Sequence, residues 1–298
     1  MAGFHELHYC EWAHRKRGRG DARRVVLCAH GYSGNARDFD PLARALSRDA
    51  RVICPDVAGR GESAWLGSPL EYNFPQFLAD INALIARLGV ASVDWVGTSM
   101  GGLLGMLLAS SPGSPIRRLV LNDVGAFLPM DSLRHIGRNL RAPGRFASLD
   151  AVEAHMRHTH REWGEISDAQ WRQIALHGSR KVDGEYRLHY DPKIARLLEP
   201  LPFAPGLFFW DAWYKVQCPV LLLRGESSSV LPRSVADTML QVKPDVTLVE
   251  IAGCGHAPSL MVRDQIDIVG GFLSARSARM PRECRTALPP SPSSRPAF

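Results

Sequence analysis

Short apolar runs recur along the chain, from His8 to Trp12, Val25 to Ala29, Arg51 to Cys54, Val93 to Val96, Arg118 to Leu121, Val220 to Leu223 and Thr247 to Ile251. Longer stretches with helical spacing separate them, so the pattern predicts alternating strands and helices. The runs from Val93 onward are nearly continuous in Val, Leu and Ile rather than alternating with polar residues. That is the mark of strands covered on both faces, as in a parallel sheet. The first two runs read instead as an antiparallel pair joined by the basic loop Arg15-Lys16-Arg17-Gly18-Arg19.

The rhythm stops between Asn122 and Trp213 and resumes at Val220. The interval holds two amphipathic stretches, Ser148 to Trp163 and Ser167 to His177, and is bracketed by Pro129 and by Pro200-Leu-Pro-Phe-Ala-Pro-Gly206. It predicts a helical cap over residues 126–213, inserted into a core made of residues 1–125 and 214–274. Beyond Leu273 apolar periodicity vanishes while Arg, Ser and Pro accumulate, so residues 275–298 read as a disordered tail.

Composition changes this picture little. A chain of 298 residues with 45% hydrophobic and 22% charged residues is an ordinary folded protein with room for a large core. No run is long and apolar enough to span a bilayer, and the start lacks a signal peptide's pattern, so a cytoplasmic protein without membrane contact is expected. The net charge of +6 would matter if it lay on one folded face. Much of it lies in the tail, where Arg276, Arg279, Arg282, Arg285 and Arg295 face only Glu283. The body is close to neutral, which argues against a nucleic-acid partner. Six scattered cysteines without a C-x-x-C pair read as reduced thiols rather than as disulfides or metal ligands.

The chemistry begins at Gly97-Thr98-Ser99-Met100-Gly101, between the run Val93 to Val96 and the helical run Leu103 to Ala109. A tight strand-to-helix turn holds a serine hydroxyl away from its own backbone, and the crowding demands glycine on either side. The helix aims its positive end at the turn, favouring negative charge that develops on a substrate oxygen. A second turn, His30-Gly31-Tyr32-Ser33-Gly34, ends an earlier strand. A third phrase, Asp56-Val-Ala-Gly59-Arg-Gly61-Glu-Ser63, has the spacing D-x-x-G-x-G-x-S.

In these three ordered motifs the chain resembles the α/β-hydrolase superfamily, from about Val25 to Leu273, in its serine carboxylesterase or lipase form with a helical cap. The resemblance implies an α/β-hydrolase fold, a mostly parallel central sheet with helices on both faces. It implies that Ser99 is the nucleophile, that the amides of Tyr32 and Met100 form the oxyanion hole, and that His30 is structural. The superfamily order is serine, acid, histidine, and Gly253-Cys254-Gly255-His256, after the last strand, supplies the general base.

The acid departs from the usual phrase. The loop after the next-to-last strand reads Arg224-Gly-Glu-Ser-Ser-Ser229, with serine where aspartate is expected. Asp123, at the end of the neighbouring strand, is the first candidate, since adjacent strand ends lie about 5 Å apart. Glu226 is the second. A structural Asp123 with no carboxylate on the ring is the third reading.

Two further features have bland readings. His155, His158 and His160 share a helical stretch without a carboxylate to complete a metal set, and read as a solvated helix. The run Leu207 to Tyr214 is either core or the wall of an acyl pocket. The whole predicts hydrolysis of a small-molecule carboxylic ester, short to medium in its acyl chain, through an acyl-enzyme, by a monomer or homodimer with no cofactor and no metal. Alternatives on the same triad are carbon–carbon hydrolysis of meta-cleavage products and hydrolysis of lactones or polyester oligomers. A ligand-binding protein that kept the fold is the non-enzymatic alternative. Haloalkane dehalogenases and epoxide hydrolases of this fold use an aspartate nucleophile, so Ser99 argues against both.

Overall fold

The computed structural model describes residues 3–13, 24–141, 144–198 and 204–275. The basic loop, part of the proline bracket at 199–203 and all but the first residue of the predicted tail lie outside them. Through the first half run β1 (Tyr9–Trp12), β2 (Val25–Ala29), α1 (Asp40–Leu46), β3 (Arg51–Pro55), α2 (Phe74–Leu88), β4 (Val93–Thr98), α3 (Met100–Ala109) and β5 (Ile116–Asn122). The insert holds β6 (Phe127–Pro129), α4 (Met130–Arg141), β7 (Arg145–Phe146), α5 (Leu149–Thr159), α6 (Asp168–His177), β8 (Ser179–Val182), β9 (Glu185–Leu188) and β10 (Gly206–Phe208). The chain then continues through α7 (Trp210–Lys215), β11 (Val220–Gly225), α8 (Arg233–Val242), β12 (Thr247–Ile251) and α9 (Arg263–Ser274).

A seven-stranded sheet has the order β1-β3-β2-β4-β5-β11-β12, and every neighbouring pair except β1 with β3 is parallel. Alternate residues of each central strand enter opposite cores, as the pleat requires. Leu27, Ile53, Trp95, Leu121 and Leu222 join a core with α2, α3, α7 and α8, whereas Cys28, Val52, Val96, Val120 and Leu223 join one with α1 and α9. Helices therefore cover both faces.

The expected pairing of the first two runs is wrong. β1 lies antiparallel against β3, with Cys10 opposite Cys54, and β2 sits between β3 and β4. The reason is burial. Every residue of β2 is buried, so both its edges and both its faces are covered, whereas β1 is half-exposed at the sheet's margin. A bidentate Arg51–Glu11 pair, at 2.7 and 2.8 Å, ties that edge strand to β3.

The insert is also less uniform than the helical expectation. Alongside α4, α5 and α6 it carries a small antiparallel sheet, β7-β9-β8, and the pair β10-β6 closes its base. These strands are two to four residues long, too short for period-2 alternation to stand out in sequence.

Candidate active site

Five loops at the C-terminal ends of β2, β4, β5, β11 and β12 converge beneath the insert, which is where open parallel sheets place ligands. The first is the turn after β4. Ser99 has φ 52° and ψ −116° and opens α3 without a side-chain cap, a strained conformation that lifts its hydroxyl off the helix end. Glycine at Gly97 and Gly101 is obligatory: a Cβ at the first would strike the backbone of Gly101 and Gly102, and at the second the Ala29 carbonyl. The turn is thus pressed directly against the end of β2.

Asp123 follows β5 at φ 58° and is fully buried. Its Oδ1 accepts from Gly225 N at 2.8 Å, and its Oδ2 accepts from Ser228 Oγ at 2.6 Å. The same Oδ2 lies 2.7 Å from His256 Nδ1, and His256 Nε2 lies 2.9 Å from Ser99 Oγ. The structure therefore brings Ser99, His256 and Asp123 into one hydrogen-bonded chain. A carboxylate at Nδ1 fixes the Nδ1–H tautomer and leaves Nε2 as an acceptor for the serine proton.

Glu226 is not part of this chain. It is exposed, and its carboxylate accepts from Gly253 N at 3.1 Å, at the base of the histidine loop. Ser228, which sequence reasoning passed over, donates to Asp123 and also accepts from Val230 N and Leu231 N at 3.2 and 3.0 Å. The loop that lacks its usual aspartate thus serves a carboxylate delivered from the neighbouring strand.

The loop bearing His256 is held from both sides. Asn122 Nδ2 donates to Pro258 O at 2.8 Å, and from the insert Glu162 O accepts from Gly255 N at 2.7 Å. Met100 follows Ser99 at the start of α3, and Tyr32 lines the same space as Ser99. The Met100 N–H belongs to the unpaired first turn of α3, and the Tyr32 N–H has no acceptor among the described residues. His30 is fully buried, accepts from Val57 N at 2.9 Å through Nε2 and faces Gly31 O at 2.6 Å through Nδ1. Burial pushes its pKa down to about 4, so it is a neutral strut.

A cavity of about 250 Å³ opens over Ser99 and His256. His155, His158 and His160 line it; His155 and His160 are partly buried, against the solvated-helix reading, whereas His158 is exposed as that reading expects. Burial pushes His160 down to about 4 and lowers His155 as well. No group of three or more potential metal ligands occurs among the described residues. Asp38 also lines the cavity, and burial raises its carboxyl to about 7. The aromatic run from Leu207 does not reach the cavity: Trp213 is core, while Phe208 and Tyr214 are exposed. The single signal for these cavity residues was α5's amphipathic spacing, which marks a buried face but not what it faces.

Residues 25–266 match the family model described as the alpha/beta hydrolase family. The chain belongs to that family. It is 41% identical to a 3-hydroxybutyrate-oligomer hydrolase of Cupriavidus necator over 92% of this chain and 94% of that one. It is 26% identical to an esterase of Escherichia coli over 78% of this chain and 85% of that one. Among solved structures it resembles an alpha/beta hydrolase from Novosphingobium aromaticivorans, with a TM-score of 0.78 and 32% identity over 91% and 99% of the two chains. The protein is an ester hydrolase on this fold, and no helix among its described residues is long and apolar enough to cross a membrane.

Proposed function

We propose that this hydrolase cleaves short oligomers of hydroxyalkanoic acids by a Ser99 acyl-enzyme. The observation that carries the chemistry is the chain Asp123–His256–Ser99, at 2.7 and 2.9 Å beneath the cavity. In the first half-reaction His256 Nε2 takes the Ser99 proton as Oγ attacks the ester carbonyl. The negative charge forming on the carbonyl oxygen is held by the Tyr32 and Met100 amides. Collapse expels the alcohol, which receives the proton from His256, and leaves the acyl group on Ser99. Water, deprotonated by the same ring, then releases the acid and restores Ser99. Asp123 holds the ring and balances the imidazolium charge, stabilised as a carboxylate by Ser228 and Gly225.

The oligomeric substrate is supported by the likeness to the Cupriavidus necator enzyme, which extends through the insert. The cavity agrees with it. Its volume of about 250 Å³ falls below the roughly 300–1,000 Å³ of drug-sized sites, which suits a dimer or trimer rather than a long chain. Its lining mixes apolar Ile136, Leu140 and Met156 with the donors His135, Asn139 and Arg161, matching a chain of alternating methyl branches and ester carbonyls. Asp123 beside His256 also removes the motive for a non-catalytic binding protein.

The test is release of 3-hydroxybutyrate from its linear dimer and trimer, followed by chromatography, for wild type and Ser99→Ala. Turnover by wild type alone supports the proposal. Turnover confined to a vinylogous ring-fission diketone, or to a lactone, would replace it.

A further inference from the structure

The D-x-x-G-x-G-x-S loop carries a cation that the reaction above does not use. Arg60 is fully buried and forms no ion pair among the described residues. Burial lowers its pKa, yet a guanidinium stays charged in proteins. Such a charge is costly to bury unless it has a task. Its place is between aromatic faces: the guanidinium carbon lies 4.9 Å from the Tyr32 ring centroid, 5.2 Å from Phe77 and 6.0 Å from Tyr72. The acid whose charge acts on it, Asp191, accepts from Tyr72 Oη at 2.7 Å.

Its hydrogen bonds point one way. Nε donates to Tyr32 O at 2.9 Å, Nη1 to Ala58 O at 2.8 Å, and Nη2 meets Met100 Sδ at 3.6 Å. The two residues assigned to the oxyanion hole are thus both touched by the same buried cation. Tyr32 is pinned at its other end as well, where its hydroxyl donates to Ile194 O of the insert at 2.7 Å. With its carbonyl and its ring tip both held, Tyr32 is fixed in place, and the N–H of the preceding peptide is carried with it.

We infer that Arg60 is a positioning residue for the oxyanion hole, holding Tyr32 and Met100 in place and setting a buried positive charge beside both of them. This rests on the acyl-enzyme reading of Ser99. A fixed cation in a dry site costs no reorganisation during the reaction and acts more strongly than it would in water. Its effect falls on the transition state, where the oxygen is charged, and hardly on the neutral ester. The loop also pairs with the insert, Arg60 bridging Tyr190 and Gly61 N donating to His189 O at 2.9 Å. The insert and the oxyanion loop therefore share this anchor.

The experiment compares wild type, Arg60→Met, Arg60→Lys and Tyr72→Phe on p-nitrophenyl butyrate. Inhibition is measured in parallel with butylboronic acid, whose serine adduct is a tetrahedral anion, and with neutral butyramide. Arg60→Met is expected to lower kcat roughly 10- to 100-fold, within the range for a lost oxyanion contact or less. Butylboronic acid should weaken by a similar factor, while KM and butyramide inhibition stay within about threefold. Arg60→Lys, which keeps charge but not the fork, should fall between. Tyr72→Phe, which perturbs the same packing but neither oxyanion residue, should leave kcat within about threefold.

Unchanged kcat in Arg60→Met, or equal losses for the boronate and the amide, overturns the assignment. If Arg60→Met does not fold, Arg60→Lys decides by the same criteria: a kcat loss with KM unchanged supports it, and no loss overturns it. A wild type inert to ester and boronate alike overturns the acyl-enzyme reading, and the assignment with it, whereas active wild type with an unaffected Arg60→Met overturns the assignment alone.

Discussion

Replacing Asp123 by asparagine isolates one atom of the proposed triad. The aspartate has three donors around it: Gly225 N on Oδ1 at 2.8 Å, and Ser228 Oγ and His256 Nδ1 on Oδ2 at 2.6 and 2.7 Å. Asparagine offers one acceptor and one amino group, so it must choose. Turning its NH2 toward Gly225 would oppose two donors and leave a buried backbone amide unsatisfied, at a cost of about 1–3 kcal/mol. The Ser228 oxygen already accepts from Val230 N and Leu231 N, so its proton would lose its acceptor, but a hydroxyl can turn that proton away whereas the Gly225 N–H is fixed. The oxygen therefore stays on Gly225, and the amino group faces His256 Nδ1. The ring can meet it only by moving its proton to Nε2, which then cannot accept from Ser99. The expected loss is about 10⁴-fold in kcat, near 5.5 kcal/mol of transition-state stabilisation. The assay is initial-rate hydrolysis of p-nitrophenyl butyrate and of the 3-hydroxybutyrate dimer, with circular dichroism confirming a folded variant. A loss below tenfold, together with a larger loss in Glu226→Gln, would refute the reasoning.

Other perturbations follow from the same contacts. Ser228→Ala removes a hydroxyl donor to a charged carboxylate, worth roughly 1.5–3 kcal/mol, and should lower kcat/KM by 10-fold or more in steady-state assays. Glu226→Gln, whose carboxylate accepts from Gly253 N and from no other group among the described residues, should retain activity within about threefold. His30, held neutral with a pKa near 4 against about 6.5 when unfolded, binds fewer protons in the folded state than in the unfolded one. Its contribution is therefore fully present above pH 6.5 and is lost as pH falls toward 4, on the order of 3 kcal/mol. Urea midpoints measured from pH 7 to 4 should show the net limb, in which His160, also lowered to about 4, adds to His30 and Asp38, raised to about 7, opposes both. Leu222→Ala, at a fully buried position of β11, should destabilise by about 2–5 kcal/mol in urea unfolding without changing kcat of the folded fraction.

The sheet's order was hidden where its strands were short, but its chemistry was written locally. Ser99 and His256 stood out because their turns need particular neighbours: Gly97 and Gly101 beside the serine, glycines around the histidine. Asp123 could be singled out because its strand neighbours β11 in the sheet, and the loop after β11 lacked the usual aspartate. Tyr32 and Met100 came from the resemblance, since a backbone amide leaves no mark of its own in a sequence. What lay beyond reach was tertiary. Ser228 is one of three consecutive serines, and only the approach of β5 to β11 selects it as Asp123's partner. The histidines of α5 and its C-cap have the same spacing whether they face solvent or a cavity. Arg60 sits in a loop whose glycines draw the eye, while its role depends on where Tyr32 and Met100 arrive. The supposed hairpin of β1 and β2 failed because pairing is set by which edge is free, and β2 has none.

The most direct test of the central claim is intact-protein and peptide mass spectrometry after treatment with a fluorophosphonate that carries a short alkyl chain. A single phosphonyl adduct on Ser99, formed in step with loss of dimer hydrolysis and absent from Ser99→Ala, is the predicted result. An enzyme that keeps turning over dimer with Ser99 fully modified, or that hydrolyses it as Ser99→Ala, would contradict the account.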